Sequence, residues 1–271
     1  MKVGFLSLSF GSYSDMERVF KVASEAGYDG VDIWGGRPMA YPWDMDEAEC
    51  AKIVELKKKY NLETPCYTPE ALGYPYSFAT VNEKELADTI AYFKKAIEVA
   101  AATGTPRVQI AQKSKAPDVS RKDAYNNMIK GFKEIAEYAA KYDVTLILEA
   151  VTIYESNMVA YLDDLVEILE EVNHPNFKTM MDTATPFAHS ESFSVWFERL
   201  GDKIDYIHFV NNDGGSPAHL PVNGGSMNMA EVLEVIKAHG YDGWLTSELI
   251  SAAKEPELTV KSEAKAIRAL L

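Results

Sequence analysis

Short apolar runs alternate with longer amphipathic stretches along the whole chain. The clearest run is Val-Thr-Leu-Ile-Leu at 144–148, which has no polar break after Thr145. A strand buried on both faces of a parallel sheet reads this way. Comparable runs stand at 3–7, 31–34, 63–68, 107–111, 178–182, 204–210 and 244–249. Between them the apolar spacing switches to the helical period, as in Val19, Phe20, Val22 and Ala23 after the turn Gly11-Ser12-Tyr13-Ser14. This predicts helices from about Asp15 and over about 46–60, 83–102, 121–142, 163–171, 190–200, 229–239 and 255–271. Gly-Tyr-Asp-Gly introduces a strand twice, at 27–30 and 240–243.

Alternating strands and helices call for a parallel sheet with crossover helices. Eight such units in 271 residues, with no linker or low-complexity segment, predict one domain over 1–271. The fold class is α/β, a closed (β/α)8 TIM barrel in preference to an open doubly wound sheet. No Gly-x-Gly-x-x-Gly follows the first strand, so a dinucleotide site loses its main support.

Composition narrows the partners. The net charge of −14 argues against nucleic acid, whose affinity comes largely from Lys and Arg neutralising phosphates. Cys50 and Cys66 form no spacing motif, which fits a reducing cytoplasm. The polar start Met-Lys-Val-Gly-Phe-Leu-Ser does not read as a signal peptide, and no stretch approaches the roughly 18 apolar residues of a membrane span. The expected partner is a small molecule, in a cytoplasmic protein without a membrane anchor.

The candidate chemistry sits at strand ends, where barrels of this kind build their sites. Glu149 follows Thr-Leu-Ile-Leu, Asp182 follows Lys-Thr-Met-Met, His208 lies in Tyr-Ile-His-Phe-Val, and Glu248 follows Trp-Leu-Thr-Ser. Each has an ordinary explanation alone: Glu149 reaching solvent, Asp182 shaping a turn, His208 hydrogen-bonded in the core, Glu248 paired with a lysine. Four coincidences on four neighbouring strands are much harder to explain that way. Three carboxylates and one imidazole make a hard, oxygen-rich set suited to Mn²⁺, Mg²⁺ or Co²⁺.

Here the chain resembles the xylose-isomerase-like barrel superfamily, and within it the subgroup of fructoselysine epimerases. The strand-end ligands carry the wider likeness. The narrower one rests on 27–38 (Gly-Tyr-Asp-Gly-Val-Asp-Ile-Trp-Gly-Gly-Arg-Pro), 67–70 with 73–76, 146–157 (through Tyr-Glu-Ser-Asn), 200–204, 213–214 and 240–249. The resemblance implies a divalent metal, Mn²⁺ first with Mg²⁺, Co²⁺ or Zn²⁺ as alternatives, held by Glu149, Asp182, His208 and Glu248. It implies that Glu149 and Glu248 are the paired acid/base carboxylates that invert C3 of a ketose, fructoselysine to psicoselysine, through a cis-enediolate. It implies that Glu155 holds a substrate hydroxyl near the carbonyl. The free-ketose epimerases carry a His where this chain has Thr185 and an Arg where it has Gly214, which points away from a free hexulose.

Further candidates follow from position. Trp34, Tyr67, Tyr74 and Tyr154 stand near strand ends as candidate walls for the sugar or its amino-acid tail. Arg37 and Glu70 are candidates for reading a zwitterionic end. His219 is a candidate second-layer or lid residue, and Asp213 a candidate for orienting His208 or a hydroxyl. His174, His189 and His239 read as surface or loop histidines. The loops 69–78 and 211–226 suit either a lid or a homo-oligomer interface. Three rivals remain open: a sugar-phosphate epimerase or aldose–ketose isomerase using Lys113, Ser114 and Lys115; an endonuclease IV-type repair enzyme, disfavoured by five histidines in all; and a non-catalytic sugar-binding barrel.

Overall fold

The computed structural model describes residues 1–11, 15–250 and 255–271. Its strands are β1 (Lys2–Leu6), β2 (Gly30–Gly35), β3 (Tyr67–Pro69), β4 (Arg107–Ala111), β5 (Thr145–Glu149), β6 (Phe177–Asp182), β7 (Ile204–His208) and β8 (Trp244–Ser247). The helices outside them are α1 (Met16–Ala26), α2 (Glu47–Tyr60), α3 (Glu83–Thr103), α4 (Arg121–Ala140), α5 (Leu162–Val172), α6 (Ala184–Ala188), α7 (Phe193–Leu200), α8 (Met229–Ala238) and α9 (Pro256–Leu270). The strands pair in chain order and close, β8 lying parallel to β1 with Val3 opposite Leu245. The expected (β/α)8 barrel is therefore the fold.

Local chemistry sets the helix limits. Asp15, Asp46, Asn82 and Ser120 accept backbone N–H bonds at the starts of α1, α2, α3 and α4. Gly27, Asn61 and Gly104 close α1, α2 and α3 in the left-handed conformation. The strand expected over 63–68 shortens to β3 because Pro65 has no N–H to give a ladder. The chain still runs beside β2, with Val31 N–H bonded to the Glu63 carbonyl and Ile33 N–H to the Cys66 carbonyl, each at 2.9 Å. The helix expected over 190–200 begins at Phe193, and the short α6 precedes it. In the turn expected at 11–14, Ser12, Tyr13 and Ser14 lie outside the described residues.

Two packing layers result. The larger core fills the space between sheet and helices, where Phe78, Phe93, Phe132 and Phe177 touch ring to ring at 4.9–5.2 Å. A smaller cluster of Cys66, Ile147, Met180, Tyr206 and Trp244 plugs the barrel lumen. Side chains alternate along a strand, so the residues two positions on share the lumen face: Thr68, Glu149, Asp182, His208 and Thr246. The apolar plug is thus the floor beneath the polar strand ends. Gly30 makes room for it, since a Cβ there would meet Trp244 Cη2 at 2.7 Å and the Glu63 carbonyl at 2.9 Å. Among the described residues no helix is long and apolar enough to cross a membrane.

Candidate active site

Parallel closure brings the ends of β5, β6, β7 and β8 together. One ligand atom each from Glu149, Asp182, His208 and Glu248 lies within 4.8 Å of all the others, and all four residues are buried. His208 Nδ1 faces the three carboxylates, 2.8 Å from Glu248 Oε2, 3.7 Å from Asp182 Oδ2 and 3.8 Å from Glu149 Oε1. Asp182 Oδ1 accepts the Ala184 N–H at 2.7 Å, while its buried Oδ2 has no hydrogen bond. Burying an unsatisfied carboxylate oxygen beside two further carboxylates is costly without a cation. The orphaned oxygen and the hard donor set therefore fit a divalent metal ion.

The electrostatics divide the two glutamates. Burial and then the Glu248 charge raise the pKa of Glu149, while Glu248 is held low because His208 and His219 outweigh its burial. His208 itself is raised well above the usual imidazole value: burial opposes this, but Glu248 and Asp32 prevail.

Above the cluster lies a cavity of about 230 Å³, and Trp34, Glu70, Glu149, Glu155, His219 and Glu248 are among its walls. That is below the roughly 300–1,000 Å³ typical of drug-sized sites and leaves room for a group of monosaccharide size. Ile250 lines it too and is 43% exposed, which places this residue at the mouth.

A family model described as xylose isomerase-like TIM barrel matches residues 20–270. The chain belongs to the xylose isomerase-like TIM barrel family. Fructoselysine 3-epimerase of Shigella flexneri is 33% identical over 257 residues, 94% of this chain and 93% of that protein. L-ribulose 3-epimerase of Methylomonas sp. (strain DH-1) is 24% identical, over 85% of this chain and 77% of its own. A D-tagatose 3-epimerase-like protein of known structure superposes with a TM-score of 0.84 at 22% identity, covering 100% of this chain and 98% of its own.

Within this xylose isomerase-like barrel the other sequence candidates separate cleanly. Trp34, Glu70, Glu155 and His219 line the cavity. The Trp34 indole donates to Glu70 Oε2 at 3.0 Å, and Gly73 N–H to Glu70 Oε1 at 2.8 Å. Glu155 Oε2 accepts from the Thr152 amide at 3.0 Å and hydroxyl at 2.8 Å, and burial raises its pKa.

Tyr67, Tyr74, Arg37, Tyr154 and Asp213 are not among the lining residues. Tyr67 takes the alternate face of β3, outside the lumen, and its hydroxyl donates to the Ala40 carbonyl. The Tyr74 hydroxyl accepts the Arg37 N–H at 3.0 Å. The Arg37 guanidinium lies over Tyr41 and is held by both oxygens of Asp44, at 2.6 and 2.7 Å. Tyr154 donates to the Gly215 carbonyl at 2.9 Å and joins the loops after β5 and β7. Asp213 is exposed and closes its own turn, accepting from Gly215 N–H at 2.9 Å and Ser216 Oγ at 2.7 Å.

The carboxylate behind His208 is instead Asp32, whose Oδ2 stands 3.8 Å from His208 Nε2. Tyr206 donates to Asp32 at 2.7 Å and also meets Thr246 Oγ1 at 2.6 Å. A second residue not foreseen is Gln109, which donates to Glu149 Oε2 and accepts from Thr68 Oγ1 at 2.9 Å. The signal for both was a single polar residue inside an apolar strand, Asp32 in Val-Asp-Ile-Trp and Gln109 in Val-Gln-Ile-Ala.

Proposed function

We propose that this protein is a divalent-metal-dependent 3-epimerase of a ketoamine sugar, with fructoselysine as substrate and psicoselysine as product. It is an enzyme of the isomerase class, as its relatives are. The observation that carries the reading is the pairing of Glu149 and Glu248 in one buried cluster beneath a sugar-sized cavity. The proton beside a ketose carbonyl is too weakly acidic for an unaided carboxylate near neutral pH. A divalent ion held by Glu149, Asp182, His208 and Glu248 supplies Lewis acidity to the carbonyl and its neighbouring hydroxyl.

The protein's own groups do the rest. Inversion needs one carboxylate to take the C3 proton and another to return a proton to the opposite face. Glu149 and Glu248 come from β5 and β8, so they approach the site from different sides, and their roles exchange with the direction of reaction. Gln109 fixes Glu149 through a hydrogen bond from its side-chain amide. Glu155 lines the cavity and would accept a hydroxyl of the sugar. We assign Mn²⁺ as the first choice of ion.

The ketoamine is preferred over a sugar phosphate because the described lining residues include no Lys or Arg. Lys113 is committed to the Tyr74 carbonyl and Lys115 to the Ala116 carbonyl. The 33% identity to the Shigella flexneri fructoselysine 3-epimerase, over 94% of this chain, supports the same choice. The test is a substrate panel on Mn²⁺-loaded enzyme: fructoselysine, D-fructose, D-psicose, D-tagatose and fructose 6-phosphate, with products resolved by proton NMR. Psicoselysine formed with the highest kcat/KM is expected. Preference for a free or phosphorylated ketose overturns the substrate assignment.

A further inference from the structure

The loop between β7 and α8 carries an imidazole into the cavity and clamps it on both sides. Asn211 and Leu220 exchange two backbone hydrogen bonds at 2.8 Å. The Asn212 side-chain amide donates to the carbonyls of Ala218 at 2.7 Å and Ser216 at 3.0 Å. His219 stands between these clamps. The Asn211 amide adds bonds to the carbonyls of Val222 at 2.8 Å and Met227 at 3.1 Å, so the far side of the loop is fixed as well.

The His219 side chain is only 9% exposed. Its Nε2 lies 3.2 Å from Asp182 Oδ2, not aligned as a hydrogen bond, and its buried Nδ1 lies 3.9 Å from Glu248 Oε2 with no hydrogen-bond partner. The neighbouring donors in the wall are already committed. The Trp34 indole serves Glu70, the Thr68 hydroxyl serves Gln109, and the Thr185 hydroxyl donates to the Ala150 carbonyl at 3.0 Å. A rigidly presented, unsatisfied nitrogen beside the acid/base pair is arranged for an atom that arrives with the substrate.

We propose that His219 is a substrate-facing hydrogen-bond donor, meeting a sugar oxygen beside Glu248 as negative charge builds on that oxygen during proton abstraction. The inference rests on the epimerase reading and gives the 211–226 loop a definite role, the delivery of that donor. His219 is set against Asp182 and Glu248, whose ligand oxygens it approaches from the cavity side.

The test compares wild type with His219→Ala, His219→Asn and His219→Gln in the metal-loaded enzyme. Three quantities are read: Mn²⁺ affinity by calorimetry, affinity for glycolohydroxamate, and kcat with KM on fructoselysine. Glycolohydroxamate is planar and presents two adjacent oxygens as a cis-enediolate does. Loss of one preorganised donor should lower kcat of His219→Ala by roughly 10²–10³. Its hydroxamate Kd should rise about tenfold, the worth of one hydrogen bond, with the Mn²⁺ Kd unchanged. The Asn and Gln variants, which keep an N–H, should recover part of both losses. Unchanged kcat and hydroxamate affinity overturns the proposal, and so does a Mn²⁺ Kd that weakens in parallel with kcat, because His219 would then act through Asp182. If no sugar turns over in wild type, the epimerase reading fails while the hydroxamate comparison still decides the role of His219.

Discussion

Replacing Glu263 by Gln should make the protein more stable in mild alkali than the wild type. Glu263 lies on α9 with 2% exposure. Its carboxylate accepts the Val222 N–H at 3.0 Å and Ser247 Oγ at 3.4 Å. Burial pushes its pKa up from the ordinary 4.5 to about 7, against the smaller opposing effect of those two hydrogen bonds. The folded carboxyl thus keeps its proton across a window in which the unfolded one has lost it. Between pH 4.5 and about 7 the unfolded state binds fewer protons, so stability falls as pH rises through that window. A shift of 7 − 4.5 = 2.5 units corresponds to about 3 kcal/mol once the carboxylate is fully ionised. Gln cannot ionise and retains an oxygen for Val222. Denaturant unfolding of both proteins from pH 5 to pH 8 should show near-equal stabilities at the acid end. The variant should lead at the alkaline end by an amount approaching that figure. A difference that does not change with pH refutes the assignment of a raised pKa to Glu263.

Three further outcomes follow from the geometry. Saturating Mn²⁺ at about 100 times its Kd should stabilise the fold by about 2.7 kcal/mol, seen as a rise in Tm over chelated protein; Asp182→Asn should abolish the rise. Asp32→Asn, which alters the carboxylate behind His208, should weaken Mn²⁺ binding by roughly 10–100-fold in calorimetry, and an unchanged Kd would mean Asp32 does not steer the ring. Gly30→Ala should cost about 1–3 kcal/mol in unfolding experiments, because its Cβ collides with Trp244 and with the rigid Glu63 carbonyl.

The barrel was legible because burial on both faces leaves apolar runs that only a parallel sheet explains. The four candidate ligands were legible for a related reason. A titratable residue within or at the end of such a run stands out, as Glu149, Asp182, His208 and Glu248 each do. Tyr67 shows where this reasoning ends. Its place near the end of β3 said nothing about which face it took, and a shift of one residue moves a side chain from lumen to helix layer. Cys66 and Thr68 face inward while Tyr67 faces out. Arg37 and Asp213 lie outside the cavity lining for another reason: loop side chains choose partners that sequence spacing does not reveal, Asp44 for one and the turn at 215–216 for the other. Asp32 and Gln109 were visible as polar breaks within strands, but their partners His208 and Glu149 lie 176 and 40 positions away (208 − 32 and 149 − 109), and only closure of the barrel brings them together.

The most direct measurement of the central claim is hydrogen exchange at C3 of fructoselysine in D₂O, followed by proton NMR. Mn²⁺-loaded enzyme should replace the C3 proton with deuterium while the second diastereomer accumulates. Chelation should stop both, and so should Glu149→Gln or Glu248→Gln for net inversion. A C3 signal that persists in the loaded enzyme, with substrate shown to bind, would contradict proton abstraction at that carbon and with it the epimerase account.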